Sequence, residues 1–211
     1  TLRGVYGHGF EKPSSIQIKS IPIILSGKDI IAQAQSGTGK TGAFSIGSLC
    51  RIDETKQYIQ CIVIVPTREL AEQVYKIIKD ISSYTEITSL KVIGGTNVSL
   101  CRDELKKNPH IIIGTPGRIL DMIQRGNLST IHVKMLIFDE ADEILSYGFK
   151  ESIHDIIQNV SKSTQICLFS ATLPDEIIEL TTKFMNNPEK VLVKKEQLTL
   201  EGIQQFFINI K

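Results

Sequence analysis

The stretch Ala34-Gln35-Ser36-Gly37-Thr38-Gly39-Lys40-Thr41 matches the phosphate-binding P-loop pattern, with alanine in place of the usual first glycine. An apolar run before it, residues 30–32, predicts a buried strand, and residues 42–46 predict the start of a helix. The glycines would let backbone N–H groups turn toward an anion beside the positive end of the helix dipole. We therefore expect Lys40 to contact the β- and γ-phosphates of a nucleotide and the Thr41 hydroxyl to hold Mg²⁺. The structural alternative is a glycine-rich turn that merely contains a lysine.

The same strand-and-turn pattern recurs along the chain. Further apolar runs occupy residues 61–65, 90–93, 111–113, 135–138, 166–169 and 191–193. Thr67 is predicted to cap a helix after the first of these runs, because apolar side chains follow it at helical spacing from position 70 to position 81. Buried strands that alternate with helices predict an α/β fold with a doubly wound, mostly parallel sheet and helices on both faces.

Two acids end one of these runs. Asp139 and Glu140 follow residues 135–138 directly, at the carboxyl end of a predicted strand, where ligands bind in sheets of this kind. In this arrangement Asp139 would hold Mg²⁺ and Glu140 would orient or deprotonate an attacking water. The alternative is that both acids simply cap the next helix, where negative side chains are favoured.

A helix start precedes the P-loop and includes a possible base-reading side chain. Pro13 and the serines after it fit the cap and first turn of a helix that contains Gln17. The Gln17 amide has a donor and an acceptor side by side, which can match N6 and N7 of adenine. Phe10 could stack on the base, although packing in the core is its simpler role.

Composition limits the class of protein. A chain of 211 residues with 41% hydrophobic and 22% charged residues suits one large domain. It shows no signal peptide and no apolar run long enough to span a bilayer, so we predict an intracellular protein, cytoplasmic or nuclear and not secreted, with no membrane partner. The net charge of +1 provides no broad basic field, and any nucleic-acid contact must be local. Because the sequence begins at Thr1 and not at Met, we expect further residues upstream.

Cysteine and histidine spacing gives no metal or disulfide pattern. The cysteines lie far apart and are predicted to be reduced and mostly buried. The histidines are also too dispersed for a local metal site, so we expect them to be structural or surface residues. These residues are Cys50, Cys61, Cys101, Cys167, His8, His110, His132 and His154.

Together the motifs resemble those of the N-terminal RecA-like domain of the DEAD-box RNA helicases. They occur in the order expected for that family and cover nearly the whole chain. The matching segments are residues 9–17, 34–41, Pro66-Thr67-Arg68-Glu69-Leu70, Gly94-Gly95, Thr115-Pro116-Gly117-Arg118, Asp139-Glu140-Ala141-Asp142 and Ser170-Ala171-Thr172. Intervening segments, such as residues 93–97, 148–151 and 198–203, look like the eukaryotic initiation factor 4A group.

The resemblance implies a role for each matching residue. Phe10, Lys12 and Gln17 would join the P-loop in binding ATP, with Asp139 and Thr41 on Mg²⁺ and with Lys40 and Glu140 in catalysis. Asp142, Ser170 and Thr172 would couple the nucleotide state to RNA. RNA would be bound through its backbone, without sequence preference, by Pro66, Thr67, Arg68, Gly94, Gly95, Thr115, Pro116, Gly117 and Arg118.

The resemblance also predicts domain organisation and function. Residues 1–195 would form the ATP-binding domain, and residues 196–211 would be the linker and start of a second RecA-like domain of the same chain. The predicted function is an ATP-dependent RNA helicase, with protein partners in translation or RNA processing. The alternative is an ATP-gated RNA clamp or scaffold subunit of a larger RNA–protein complex. A P-loop kinase is disfavoured, because the sequence shows no acceptor-binding lid or base outside the nucleotide site.

Overall fold

Strands and helices alternate through residues 1–192, the part of the chain that the computed structural model describes. The strands are β1 (Ile30–Gln33), β2 (Cys61–Ile64), β3 (Ser89–Val92), β4 (Ile111–Gly114), β5 (Met135–Phe138), β6 (Gln165–Ser170) and β7 (Glu189–Leu192). The helices are α1 (Leu2–Gly7), α2 (Ser15–Ser26), α3 (Lys40–Arg51), α4 (Arg68–Ile81), α5 (Val98–Leu105), α6 (Pro116–Gln124), α7 (Ala141–Ser146), α8 (Lys150–Gln158) and α9 (Asp175–Phe184).

The strands form one sheet in the order β3-β4-β2-β5-β6-β1-β7. Each pairing within the described residues is parallel, which confirms the predicted doubly wound sheet and makes this part of it wholly parallel. Each predicted run coincides with a strand to within two residues at either end. The last strand begins at Glu189, earlier than predicted, while Val193 and the predicted linker at 196–211 lie outside the described residues.

A hydrophobic core lies on each face of the sheet, as the prediction of helices on both faces requires. Alternate residues of a strand point to opposite faces, so Cys61 and Val63 join one core while Ile62 and Ile64 join the other. Helices α2, α3 and α4 contribute to the first core, and α5 to α9 contribute to the second. Cover on both faces explains why the central strands are apolar throughout.

Asp29 fixes the start of β1, the strand that leads into the P-loop. One of its carboxylate oxygens accepts a hydrogen bond from the Ile166 N–H and the other from the Asn186 N–H, each at 2.7 Å. The side chain therefore holds β1 in register between β6 and β7.

Cys61, Cys101 and Cys167 are buried and Cys50 is exposed; all four are free thiols. Across residues 1–192 no cluster of three or more histidine, cysteine or acidic side chains is arranged to bind a metal. Within the same range, no helix combines the length and apolar character needed to cross a membrane.

Candidate functional site

The P-loop connects β1 to α3 at the carboxyl edge of the sheet. Gly37 and Gly39 have φ angles of +82° and +97°, a backbone conformation that side chains with a Cβ rarely adopt. Gly39 is the N-cap of α3, so Lys40 is the first residue of that helix. The loop therefore lies at the positive end of the α3 dipole, where an anion is favoured.

Lys40 is paired with one of the two acids at the end of β5. Its Nζ donates to Glu140 Oε2 at 2.8 Å, and the Lys40 side chain is only 3% exposed. The Ser36 hydroxyl donates to the other oxygen of the same carboxylate at 2.9 Å. The P-loop and the predicted catalytic acid thus meet directly, with the carboxylate bound to the lysine expected to hold phosphate.

Asp139 and Thr41 have the chemistry of a Mg²⁺ site. The Thr41 hydroxyl lies 3.5 Å from Asp139 Oδ2, and Asp139 is buried. Burial and the negative charge of Glu140 raise the pKa of Asp139 to about 7, because they disfavour a second charged carboxylate. A divalent cation would remove that conflict. Hard oxygen ligands from one carboxylate and one hydroxyl, completed by phosphate and water, suit Mg²⁺.

Glu140 has an unusual backbone. Its φ and ψ of 50° and 53° lie in the left-handed region, and it is the N-cap of α7. A residue with a side chain is held there at a cost of order 1–3 kcal/mol, so the surrounding structure must determine the conformation. The turn aims the carboxylate at Lys40 instead of along the helix.

Gln17 links the start of α2 to the P-loop. Its Oε1 accepts from the Ser14 N–H at 2.9 Å, and its Nε2 donates to the Gly39 carbonyl at 3.2 Å. One N–H and one lone pair of the amide remain for a base. Gly42 of α3 lies close to both Gln17 and the Phe10 ring. A Cβ added at Gly42 would be 2.7 Å from Gln17 Nε2 and 3.1 Å from Phe10 Cζ.

Phe10 and Lys12 differ in their surroundings. Phe10 is half-buried and packs against the core beneath α2 and α3, as the simpler interpretation proposed, although its edge also lies beside Gly42. Lys12 is exposed and makes no hydrogen bond to any residue in the range 1–192. Neither observation assigns these residues to a ligand.

Asp142, Ser170 and Thr172 form a bridge between α7 and the end of β6. Asp142 Oδ2 accepts from the Thr172 N–H at 3.0 Å and from its hydroxyl at 2.7 Å, and the Asp142 N–H donates to Ser170 Oγ at 3.2 Å. Burial raises the pKa of Asp142, but the hydrogen bonds outweigh it and hold that pKa below its ordinary value. Asp142 Oδ1 is buried without a hydrogen-bond partner in the described part of the chain.

An open groove contains most of the predicted RNA-binding residues. It is lined by Pro66, Thr67, Arg68, Glu69, Gly94, Thr115, Tyr147 and Phe149. Thr67 and Thr115 are the N-caps of α4 and α6, so two helix N-termini meet at the groove. Unpaired backbone N–H groups at such ends bind phosphate without reading a base.

The other predicted RNA-binding residues lie around the groove. A Cβ on Gly95 would be 2.6 Å from Arg68 Nη1, so the glycine leaves space for the guanidinium. Arg118 donates to the Thr96 carbonyl at 3.2 Å, and Gly117 lies beside the Phe149 ring. Pro116 occupies the first turn of α6.

Sequence patterns did not identify several of these contacts. Tyr147 and Phe149 line the groove although they follow the acidic motif by several residues, and Ser36 and Ser14 contact functional side chains. In the sequence, the one feature that points to Tyr147 and Phe149 as groove residues is that they form a Tyr-Gly-Phe segment after a short helix. The pairing of Ser36 with Glu140 depends on the backbone turn at Glu140, which no periodicity predicts.

A parallel α/β sheet whose carboxyl edge joins a P-loop lysine to consecutive acids defines a P-loop nucleotide-binding domain. The sequence model of one such family, described as DEAD/DEAH box helicase, matches residues 14–180. The chain therefore belongs to the DEAD/DEAH box helicase family.

Named relatives agree with this assignment. The chain is 49% identical over 210 residues to eukaryotic initiation factor 4A from Caenorhabditis elegans, in an alignment that covers 100% of this chain and 52% of that protein. It is 51% identical over 210 residues to the ATP-dependent RNA helicase eIF4A from Aspergillus niger, covering 100% of this chain and 53% of the relative. The chain thus spans about half the length of the curated relatives it matches.

Solved structures confirm the predicted RecA-like fold. A DEAD box protein from the hyperthermophile Methanococcus jannaschii is 40% identical with a TM-score of 0.86, over 90% of this chain and 52% of that one. S. cerevisiae Dbp5 bound to RNA and ADP BeF3 is 32% identical, also with a TM-score of 0.86, over 97% of this chain and 52% of that one.

Proposed function

We propose that residues 1–195 form the N-terminal, ATP-binding domain of an ATP-dependent RNA helicase. One observation supports this proposal most directly: the short helix α7 joins the nucleotide site to the groove. Its N-cap, Glu140, contacts Lys40, and its C-cap, Tyr147, lines the groove. A change in the position of Glu140 on nucleotide binding would therefore be transmitted to the groove through six residues of helix.

The nucleotide site has the groups needed for phosphoryl transfer. We propose that Lys40 and the P-loop N–H groups bind the β- and γ-phosphates, with Gln17 at the adenine. Asp139 and Thr41 would hold Mg²⁺, which neutralises phosphate charge when bound. Glu140, released from Lys40, would orient or deprotonate the attacking water.

The groove is proposed to bind single-stranded RNA through its phosphates. The two helix N-termini and Arg68 supply donors for an anionic backbone and none that distinguish one base from another. A second RecA-like domain, beginning within residues 196–211, would complete both sites. Two similar structures contain S. cerevisiae Dbp5 bound to Gle1, one of them also to Nup159, which supports protein partners for this chain as well. An intracellular translation or RNA-processing complex fits these relatives.

The test compares residues 1–211 with the full-length protein in an ATPase assay with saturating single-stranded RNA. An arginine from a facing domain contributes about 10³- to 10⁵-fold to this kind of reaction. We expect residues 1–211 to bind adenine nucleotide and to hydrolyse it slower by a factor of that order. Equal turnover by the two proteins would contradict the two-domain mechanism, and absence of RNA stimulation in the full-length protein would contradict the helicase function.

A further inference from the structure

Tyr147 is the exposed aromatic side chain of the groove. It is 58% exposed, whereas Phe149 is half-buried and packs against the core beneath α7 and α8. Within residues 1–192 the Tyr147 side chain has no hydrogen bond, no stacked ring and no cation over its face. A large aromatic face is therefore available at the groove without a partner from this part of the chain.

The backbone holds Tyr147 in a defined place. Its N–H donates to the Glu143 carbonyl at 3.0 Å, and the following Gly148 N–H donates to the Leu145 carbonyl at 2.9 Å. Gly148 has a φ of +81°, which ends α7, and Phe149 then caps α8. Since Phe149 is anchored in the core, the corner between the two helices fixes the Tyr147 Cα at the groove wall. An aromatic side chain on a fixed backbone loses little entropy when it binds.

The same groove also has the chemistry that binds phosphate. Thr67 and Thr115 present two helix N-termini, and Arg68 adds a positive charge. A nucleotide unit has an anionic phosphate on one side and a flat base on the other, so it matches a groove that offers both phosphate-binding donors and an exposed aromatic face. Stacking accepts every base, because every base has a π-face.

We infer that Tyr147 stacks on a nucleobase of single-stranded RNA bound in this groove. The inference rests on the proposed function and adds a base contact to an interface otherwise made with phosphates. Tyr147 would contribute to affinity and to the preference for single strands, because a base within a duplex has no free face. It would not contribute to sequence preference.

The experiment uses the full-length protein with a non-hydrolysable ATP analogue and single-stranded RNA that contains 2-aminopurine at each position in turn. Tyr147→Ala should lower RNA affinity about 5- to 150-fold and abolish the fluorescence change of one 2-aminopurine. Tyr147→Phe should retain both, since it keeps the ring and removes only the hydroxyl. Tyr84→Ala is the matched control, because Tyr84 is 55% exposed and follows the far end of α4, about 20 Å from the groove.

The possible outcomes separate the inference from the proposed function. If the wild-type protein does not bind RNA, the proposed function fails. If it binds RNA and Tyr147→Ala changes neither affinity nor fluorescence, the stacking role is wrong while the function stands. If Tyr147→Phe loses as much as Tyr147→Ala, the hydroxyl makes the contact and stacking is excluded. RNA with an abasic site at the stacked position should bind the wild type more weakly and bind Tyr147→Ala with unchanged affinity.

Discussion

The Lys40 ammonium and the Glu140 carboxylate lie 2.8 Å apart, with side-chain exposures of 3% and 13%. The lysine that is proposed to bind phosphate is thus already neutralised by the acid that is proposed to act on water. A bound nucleotide must replace the Glu140 carboxylate at Lys40 with its own phosphate. Because Lys40 is already buried beside Glu140, the free energy of nucleotide binding includes no cost for removing water from the lysine. Phosphate binding also releases Glu140 for its proposed role.

Lys40→Ala should weaken ATP binding, because it removes the ammonium group at which phosphate replaces the Glu140 carboxylate. Hydrogen bonds to charged groups contribute about 1.5–3 kcal/mol, so we expect ATP affinity to fall about 10- to 150-fold. Titration with a fluorescent ATP analogue measures the change. Lys28→Ala is the control, because Lys28 pairs with Glu189 on an exposed surface. Undiminished ATP affinity in Lys40→Ala would mean that the P-loop is not the phosphate site.

Glu140→Gln should separate binding from hydrolysis in the full-length protein. The amide keeps the shape of the side chain but loses the charge that competes with phosphate and the base that acts on water. ATP affinity should be equal or higher, while turnover falls at least about 100-fold. Glu143→Gln, one turn along α7 and exposed, should behave as wild type. If Glu140→Gln instead loses Mg²⁺-dependent nucleotide binding, then Glu140 and not Asp139 holds the metal.

Gln17→Ala should remove the preference for ATP over GTP. Guanine has an acceptor where adenine has the N6 donor, and a mismatched buried group costs about 1–3 kcal/mol. Competition between ATP and GTP for the site gives the ratio, with Gln124→Ala, exposed at the end of α6, as control. Equal binding of both nucleotides by the wild-type protein would exclude the adenine-reading role.

Gly42→Ala tests the contact between α2 and α3. Alanine normally stabilises a helix by up to about 1 kcal/mol over glycine, but here its Cβ would lie 2.7 Å from Gln17 Nε2. We therefore expect a lower unfolding temperature and weaker ATP binding. Gly7→Ala is the matched helical control, because its nearest neighbour would be 3.8 Å away. A gain in stability in Gly42→Ala would show that Gln17 moves aside freely.

Asp142→Asn should destabilise the bridge to Thr172 in a pH-dependent way. The hydrogen bonds favour the carboxylate, so they stabilise the fold above its ordinary pKa of 3.8 and are lost as the pH falls through the lowered pKa. Urea unfolding should show a difference of about 1 kcal/mol between wild type and variant at pH 7. That difference should shrink as the pH falls below 3.8 and through the lowered pKa. A difference that is constant with pH would assign the effect to the side-chain shape.

Much of the fold could be predicted because the signals are local. A buried parallel strand needs an unbroken apolar run, as in β5, and a helix needs a cap, which Thr67 provides through a hydrogen bond from the Leu70 N–H. The P-loop was predictable for a related reason, since its glycines and lysine are contiguous. Parallel strands then place their carboxyl ends together, which gave the location of the site.

The pairings within the site could not be predicted because they depend on three-dimensional turns. The order of Asp139 and Glu140 in the sequence suggests their roles but not which of them meets Lys40, and the left-handed backbone of Glu140 accompanies that contact. Likewise, Tyr147 reaches the groove because α7 ends at a left-handed glycine. Residues separated by a hundred positions, such as Ser36 and Glu140, share no sequence pattern.

The two helix N-termini at the groove also determine how the RNA complex should respond to ionic strength. Backbone N–H groups carry no net charge, so among the described residues proposed to bind RNA only Arg68 and Arg118 would displace cations from it by charge neutralisation. With two such contacts, the logarithm of the binding constant should fall with the logarithm of salt concentration with a slope of only about −1.4. This half of the protein would therefore contribute an RNA affinity that falls only about 7-fold between about 50 mM and 200 mM salt, where a protein with six to ten charged contacts would lose about 10³- to 10⁵-fold.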